Sequence, residues 1–389
     1  MIKDSALDRL FPESMRYHKG HVADPDHKGG AGARSRLVRL TPRQKLAGIV
    51  RRAPEVMLKI GRANIRCLQH MKAAADYISR NGKLEIEDQD GFTHGSKEQV
   101  QAVVRQWGLQ SQIPQEESSN DRRAHGRRII LSMPAGTPPE GFKAACRKWA
   151  QDTLSGYDYL MAFHTPENDR RTTQPHCHIL LRTIGHDGRR FHIDNTRREE
   201  MREHFAVCLR KQGIEANATQ RWQRGVTRRS LGQPEFHNAR KVQTNKERAR
   251  KHAIARKKKT LLLKTMQNRL MDVERSVRSR KPIPDPPGIV KAKAKRQELT
   301  DLLNDVINEL NAGSSQDKML ARAAKEHLQK LPPVKSAAQE TVSSLTDKAR
   351  HAMQAEVKRT PHKEPLKAPA CHICAYNHRQ IGAYHPFGL

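Results

Sequence analysis

The sequence predicts an α+β fold: an antiparallel sheet with covering helices, followed by a mostly helical, basic extension. Three observations predict it. Short apolar runs bounded by turn residues recur at hairpin spacing between Arg127 and Ile193. Helical periods with recognisable caps flank those runs. Beyond Arg221 the composition turns basic and proline-interrupted. The element order strand, helix, strand, strand, strand, helix is that of an α+β core, spanning about residues 62 to 217.

Taken in order, residues 1–61 form a basic, weakly patterned arm. Thr41-Pro42 within it reads as a helix start, with threonine as cap and proline in the first turn. A helix is expected from Ala63 to Arg80, stopped by Asn81-Gly82, which tolerate a left-handed backbone. A short strand, Lys83 to Ile86, and a turn at Asp90-Gly91 follow. Ser96-Lys97-Glu98-Gln99 is a capping box opening a helix with Val100, Val103, Val104 and Trp107 on one face. Residues 110–126 are a polar loop, and Arg127 to Ser132 a strand. Phe142, Ala145, Cys146, Trp149 and Ala150 form one helical stripe. Tyr157–His164 and Pro175–Thr183 are strands, Arg189–Ile193 a shorter one. The helix Thr196–Gln212 ends at Gly213.

Residues 62–225 make the expected catalytic domain and 226–389 the extension. In that extension Arg248–Lys259 is nearly all basic, Pro282–Pro287 is a stiff linker, and Leu299, Leu303, Val306 and Leu310 lie on one face of a helix. Everything the chemistry requires lies before about Gly225, so a cut there is expected to expose little core.

The chain has 389 residues, with 73 Lys plus Arg against 41 Asp plus Glu, a formal net charge of +32. Such an excess, spread over several segments, calls for a large polyanion, and nucleic acid is the common one. Aromatic residues are only 4% of the chain, so base stacking cannot carry most of the binding. No apolar run reaches the length of a membrane span, and the N-terminus lacks a signal peptide's apolar stretch. Cys67, Cys146, Cys177 and Cys208 fall inside predicted elements, which is not a secreted disulfide pattern. A cytoplasmic protein is expected.

His176-Cys177-His178 is the sharpest chemical feature. Residues two apart on a strand share a face, so the two imidazoles form a ready chelate for a divalent metal. His164, ending the neighbouring strand, could complete three nitrogen ligands. Such an ion beside a basic surface suits phosphodiester chemistry, because it stabilises charge on a phosphate oxygen. A nucleophile is then needed. Tyr77, at the exposed end of the first core helix, is the candidate, with Asp76 and Arg80 beside it. A phenol of pKa about 10 needs a base or a cation to attack. Tyr17, Tyr157, Tyr159, Tyr376 and Tyr384 compete, and Tyr157 and Tyr159 sit in a predicted strand as packing residues.

Three stretches carry a family resemblance. They are Asp76-Tyr77-Ile78-Ser79-Arg80-Asn81-Gly82-Lys83-Leu84, then Ile129-Ile130-Leu131-Ser132-Met133-Pro134-Ala135-Gly136, then His164 followed by Pro175-His176-Cys177-His178-Ile179-Leu180-Leu181. In this order they resemble the conjugative plasmid relaxases, mobilization DNA nickases of the type that includes the Agrobacterium T-DNA border endonuclease. The resemblance covers about residues 62–222. It implies an antiparallel-sheet relaxase (His-hydrophobe-His nuclease) domain with the histidine strand central. It implies that Tyr77 forms a 5′-phosphotyrosine, that His164, His176 and His178 hold Mg²⁺ or Mn²⁺, and that Ser132 helps position DNA.

The same resemblance implies a site- and strand-specific nickase acting at an origin of transfer. Its partners would be single-stranded and duplex plasmid DNA, a relaxosome accessory DNA-binding protein and a type IV coupling protein. It would be exported to a recipient cell covalently bound to DNA. The segment between His164 and His176 is longer than the family's usual motif. The acid that orients the histidines is either Glu167 or Asp169, and Arg182 stands where asparagine is common. Rolling-circle replication initiators and single-strand transposases also pair His-x-His with tyrosine, but there the tyrosine usually follows the histidines. A basic nucleic-acid-binding protein without catalysis is the alternative from another class. Cys371-His372-Ile373-Cys374 with His378 could bind zinc.

Overall fold

The computed structural model describes residues 5–12, 37–61, 65–117, 123–168, 173–227, 268 and 270–359. The expected basic run 248–259, Asp169, Tyr17, Tyr376, Tyr384 and the Cys371–His378 cluster lie outside them. The chain divides into two compact units, Met1–Ser230 with Ala292–Pro333, and Leu231–Lys291 with Val334–Leu389.

Six strands in the first unit form one sheet: β1 (Met57–Ile60), β2 (Ile86–Asp88), β3 (Thr93–His94), β4 (Gly126–Ser132), β5 (Tyr159–His164) and β6 (His176–Arg182). Their order is β1-β4-β6-β5-β2-β3, and each neighbouring pair is antiparallel. The fold class is α+β, with β6 and β5 in the middle.

The helices form where local signals place them. In α2 (Pro42–Val50), Thr41 and Gln44 close a capping box with Pro42 at the first position. In α4 (Lys97–Gln110), Ser96 and Gln99 do the same. Between them lies α3 (Leu68–Ile78). Then come α5 (Pro139–Thr153) and α6 (Asn195–Lys211), the latter capped by the Asp194 carboxylate and followed by Gly213 at φ +73°.

Helices cover both faces of the sheet. On one face, Leu160, Ala162, Leu180 and Ile86 pack under Met71, Ala75, Ile78, Val100, Val104 and Trp107 of α3 and α4. On the other, Ile129, Leu131, Met161, Cys177 and Ile179 pack under Phe142, Trp149, Met201 and Phe205 of α5 and α6. The two inward sets alternate along β5 and β6. That is why these strands read as continuous apolar runs instead of a half-polar alternation.

The structure departs from sequence expectation at five places. The helix expected from Ala63 to Arg80 runs only from Leu68 to Ile78, after an isolated bridge of Ile65 to Gly126. β1 emerges from the arm and pairs with β4, Met57 opposite Ser132 and Ile60 opposite Ile129. The strand expected from Lys83 begins only at Ile86, because the Leu84 N–H is held by the Ser79 carbonyl at 2.9 Å in a tight reversal. Residues 189–193 contribute a single bridge, Ile184 to Arg190, instead of a strand. The core also continues past Gly225. α1 (Ala6–Leu10) and α2 bury Leu10, Leu46 and Ile49 together with Leu299, Leu303, Val306 and Leu310 of α7 (Pro287–Asn311) and Ala321 and Ala324 of α8 (Ser315–Gln329).

Arg182 forms a buried ion pair with Asp158 and also donates to the Ser111 hydroxyl. Within the second unit, α9 (Ala337–Arg359) is tied to the proline-rich linker: the Gln339 amide donates to the Ile283 carbonyl at 2.9 Å and to Asp285 at 2.8 Å. Among the described residues no helix is long and apolar enough to cross a membrane.

Candidate active site

β5 ends on His164 where β6 begins on His176, and the antiparallel register sets the two opposite each other. His178 follows two residues on and therefore shares their face. The three rings pack with centroids 4.9, 4.8 and 5.0 Å apart. One candidate ligand nitrogen from each lies within 4.8 Å of the others.

Backbone carbonyls orient two of the rings. His164 is fully buried, and its Nε2–H donates to the Ile78 carbonyl at 2.8 Å. Because a carbonyl only accepts, the lone pair of a neutral His164 is on Nδ1, 3.4 Å from a guanidinium nitrogen of Arg80. His176 gives its Nδ1–H to the Gln174 carbonyl at 3.0 Å, placing its lone pair on Nε2. Burial, reinforced by His164, His176, Arg80 and Arg128, lowers the pKa of His178 to about 3, so that ring is neutral and able to offer a lone pair. Of the two acids that might orient the site, Glu167 is exposed.

Three imidazole nitrogens drawn from two adjoining strands, with carbonyls fixing the tautomers of His164 and His176, suit a divalent cation. A bound ion would act as a Lewis acid toward a phosphate oxygen.

Tyr77 occupies the last turn of α3. It is 54% exposed, and its ring meets that of His178 edge-on at 5.8 Å. The chain just beyond it is unusual. Arg80, Asn81 and Gly82 have φ of 54°, 58° and 79°, a left-handed run that ends the helix and turns the chain back. The Asn81 N–H bonds the Asp76 carbonyl at 2.7 Å within that reversal. The reversal brings the Arg80 side chain to His164. Asp76 instead meets Gln101 of α4 at 3.1 Å and Lys97 at 3.5 Å. Of the two charged neighbours of Tyr77 in sequence, only Arg80 meets the histidines.

Ser132 ends β4 directly opposite His176. It is buried, and its hydroxyl donates to the Pro175 carbonyl at 3.1 Å, tying β4 to the residue before the first histidine of the pair. Tyr157 packs on Phe191 at 5.1 Å. Tyr159 is buried, and burial with the nearby Cys177, Asp88, Asp90 and Glu87 pushes its pKa up to about 12. Both are packing residues, Tyr159 within β5 and Tyr157 just before it.

The histidine face continues across β4 and β1. Ile130 stands opposite His178 and Lys59 opposite Ile130, while Arg128 lies two residues before Ile130 on the same face. Lys59 is exposed and Arg128 half-buried. Sequence reading did not single out either residue. The alternation in Arg128, Ile130 and Ser132 carries the signal, but without β1 and its register it points to no neighbour.

The structure thus brings His164, His176, His178 and Ser132 to one face of the sheet near the ends of its central strands, with Tyr77 of α3 against His178. Comparison with known proteins finds relatives for this segment. The family model "Relaxase: MobA/VirD2-like, nuclease domain" matches residues 77–214. The T-DNA border endonuclease VirD2 of Rhizobium radiobacter is 27% identical over 214 residues, covering 50% of this chain and 48% of that protein. The same-named protein of Agrobacterium fabrum is 25% identical over 221 residues, covering 51% and 46%. The chain therefore spans about half the length of the curated relatives it matches. The segment that matches the MobA/VirD2-like relaxase nuclease model is the one holding the tyrosine, the serine and the three histidines.

Proposed function

We propose that this protein is a site- and strand-specific DNA nickase that cleaves plasmid DNA at an origin of transfer and rejoins it during conjugative transfer. The observation that carries the reading is the exposed Tyr77 phenol beside three clustered imidazoles on a basic sheet face. In the proposed reaction the Tyr77 oxygen attacks phosphorus. A tyrosine–phosphorus bond forms while the bond to the 3′ oxygen breaks. The phenol proton is released, and the leaving 3′ oxygen takes up a proton to become a hydroxyl. The 5′ phosphate stays on Tyr77, so the bond energy is kept and reversal reseals the strand.

The side chains divide the work. His164, His176 and His178 are assigned to hold Mg²⁺ or Mn²⁺. Arg80 adds positive charge next to His164, where a phosphate oxygen gains negative charge. Ser132 is assigned a positioning role near the cut, through Pro175 and His176. Lys59 and Arg128 extend a basic path for single-stranded DNA.

Residues 62–225 are assigned the catalytic part. The extension, 226–389, is assigned to contacts with duplex DNA, a relaxosome accessory protein and the type IV coupling protein, while β1 of the arm completes the catalytic sheet. Work in the cytoplasm and export bound to DNA belong to the same reading. Tyr77→Phe removes one oxygen from an exposed side chain, so folding and DNA binding should persist. Incubated with oligonucleotides tiling the transfer region, the native chain should form a covalent protein–DNA band and the variant none. A band of equal strength from the variant refutes the assignment.

A further inference from the structure

On the sheet face opposite the histidines, α5 and α6 bring Asp152, His204 and Cys208 together. His204 and Cys208 stand four residues apart on α6 and so project on the same side. His204 Nε2 lies 3.0 Å from Asp152 Oδ2 and 3.5 Å from Cys208 Sγ. One ligand atom from each residue lies within 4.8 Å of the other two. The His204 and Cys208 side chains are buried, and Asp152 is partly exposed.

The second nitrogen of His204 is already committed. Its Nδ1 lies 3.2 Å from the Val38 carbonyl, to which it can only donate. A neutral His204 therefore turns the Nε2 lone pair toward a carboxylate oxygen and a sulfur. The other carboxylate oxygen of Asp152, Oδ1, accepts from Lys148 at 2.6 Å, so Oδ2 is the one that faces His204. Three potential ligand atoms converge, one from each residue. A proton on Nε2 would satisfy Asp152 alone. A divalent metal satisfies all three.

The spacing fits zinc. With Zn–N and Zn–O near 2.05 Å and Zn–S near 2.3 Å, a tetrahedral site separates N from O by about 3.3 Å and N from S by about 3.6 Å. The two separations from His204 Nε2 lie within ~0.3 Å of those edges. A sulfur and an imidazole together select zinc over magnesium or manganese. Donation of the remaining histidine N–H to a backbone carbonyl is the usual support of a metal-bound imidazole. A zinc ion supplies the positive charge that lets the Cys208 sulfur bind as thiolate.

We propose that Asp152, His204 and Cys208 form a structural zinc site that clamps α5 to α6 and, through Val38, holds the segment leading into α2. This site is independent of the nicking chemistry.

Cobalt(II) titration of the full chain tests it, with Cys371→Ser and Cys374→Ser in every sample, the reference included, so that this second cysteine pair cannot contribute. Cobalt bound to a thiolate gives a near-ultraviolet sulfur-to-metal charge-transfer band, which a three-histidine site cannot produce. The native chain and a His176→Ala variant should both show the band, and Cys208→Ser should lose it. Asp152→Asn, altered at a partly exposed carboxylate, should weaken cobalt binding at least tenfold while the chain stays folded. That arm decides the matter if Cys208→Ser does not fold. Absence of the band from the native chain, its persistence in Cys208→Ser, or unchanged affinity in Asp152→Asn overturns the proposal.

Discussion

The turn after Tyr77 offers a sharp test of how the fold presents the nucleophile, through the substitution Gly82→Ala. Gly82 has φ +79°, and a Cβ built there would stand 2.5 Å from the Lys97 backbone nitrogen and 3.0 Å from its Cα. The left-handed conformation costs an alanine roughly 1–2 kcal/mol. The clash is with backbone, which cannot swing aside as a side-chain end can, and forced displacement adds about 1–3 kcal/mol. The expected loss is therefore about 2–5 kcal/mol.

Because Lys97 opens α4, relief must shift either that helix end or the 80–82 turn that carries Arg80 to His164. Covalent adduct formation should slow as well as stability fall. Urea unfolding read by tryptophan fluorescence is a suitable assay, since Trp107 on α4 and Trp149 on α5 are both buried. Asn81→Gly is the control: it relieves a strained φ of 58° with no new contact, and should be neutral or slightly stabilising. If Gly82→Ala unfolds at the native urea concentration and forms adduct at the native rate, the close approach of the turn to α4 is wrong.

Two further outcomes follow from packing. Glu203 is buried and accepts from Arg39 at 2.9 and 3.1 Å and from the buried Lys45 at 2.8 Å, so Glu203→Gln strips a charge from a desolvated cluster and should cost about 3–5 kcal/mol in urea unfolding; Glu203→Gln with Lys45→Met should recover part of that loss, and failure to recover any would point to shape instead of charge. A chain ending at Gly225 loses α7 and α8 and uncovers Leu46 and Ile49, each worth ~1.5–3 kcal/mol when fully buried. That fragment should unfold at lower denaturant yet still form the covalent adduct below its transition, and an unchanged midpoint would show that α7 and α8 contribute nothing to the first unit.

The sequence by itself determined what depends on neighbours along the chain. Capping boxes at Thr41 and Ser96 join residues three apart, and both form as read. The stripe Phe142, Ala145, Cys146, Trp149 and Ala150 is fully buried because a helix fixes which of its residues align. The spacing of His176 and His178 sufficed to put both on one face, since a strand alternates whatever it pairs with.

Tertiary structure alone decided contacts between distant segments. β1 looks unremarkable in the arm, and only pairing with β4, some seventy residues on, makes it a strand. That Arg80 and not Asp76 reaches His164 depends on three consecutive left-handed residues, a choice the sequence permits at Asn81-Gly82 but does not impose at Arg80. The core of α1, α2, α7 and α8 joins ends of the chain nearly 300 residues apart, as when Glu309 accepts from the Ala6 N–H at 2.6 Å. The stripe on α7 is legible as apolar, but a stripe names no partner. Helix periodicity records which side is buried, and only the assembled fold records against what.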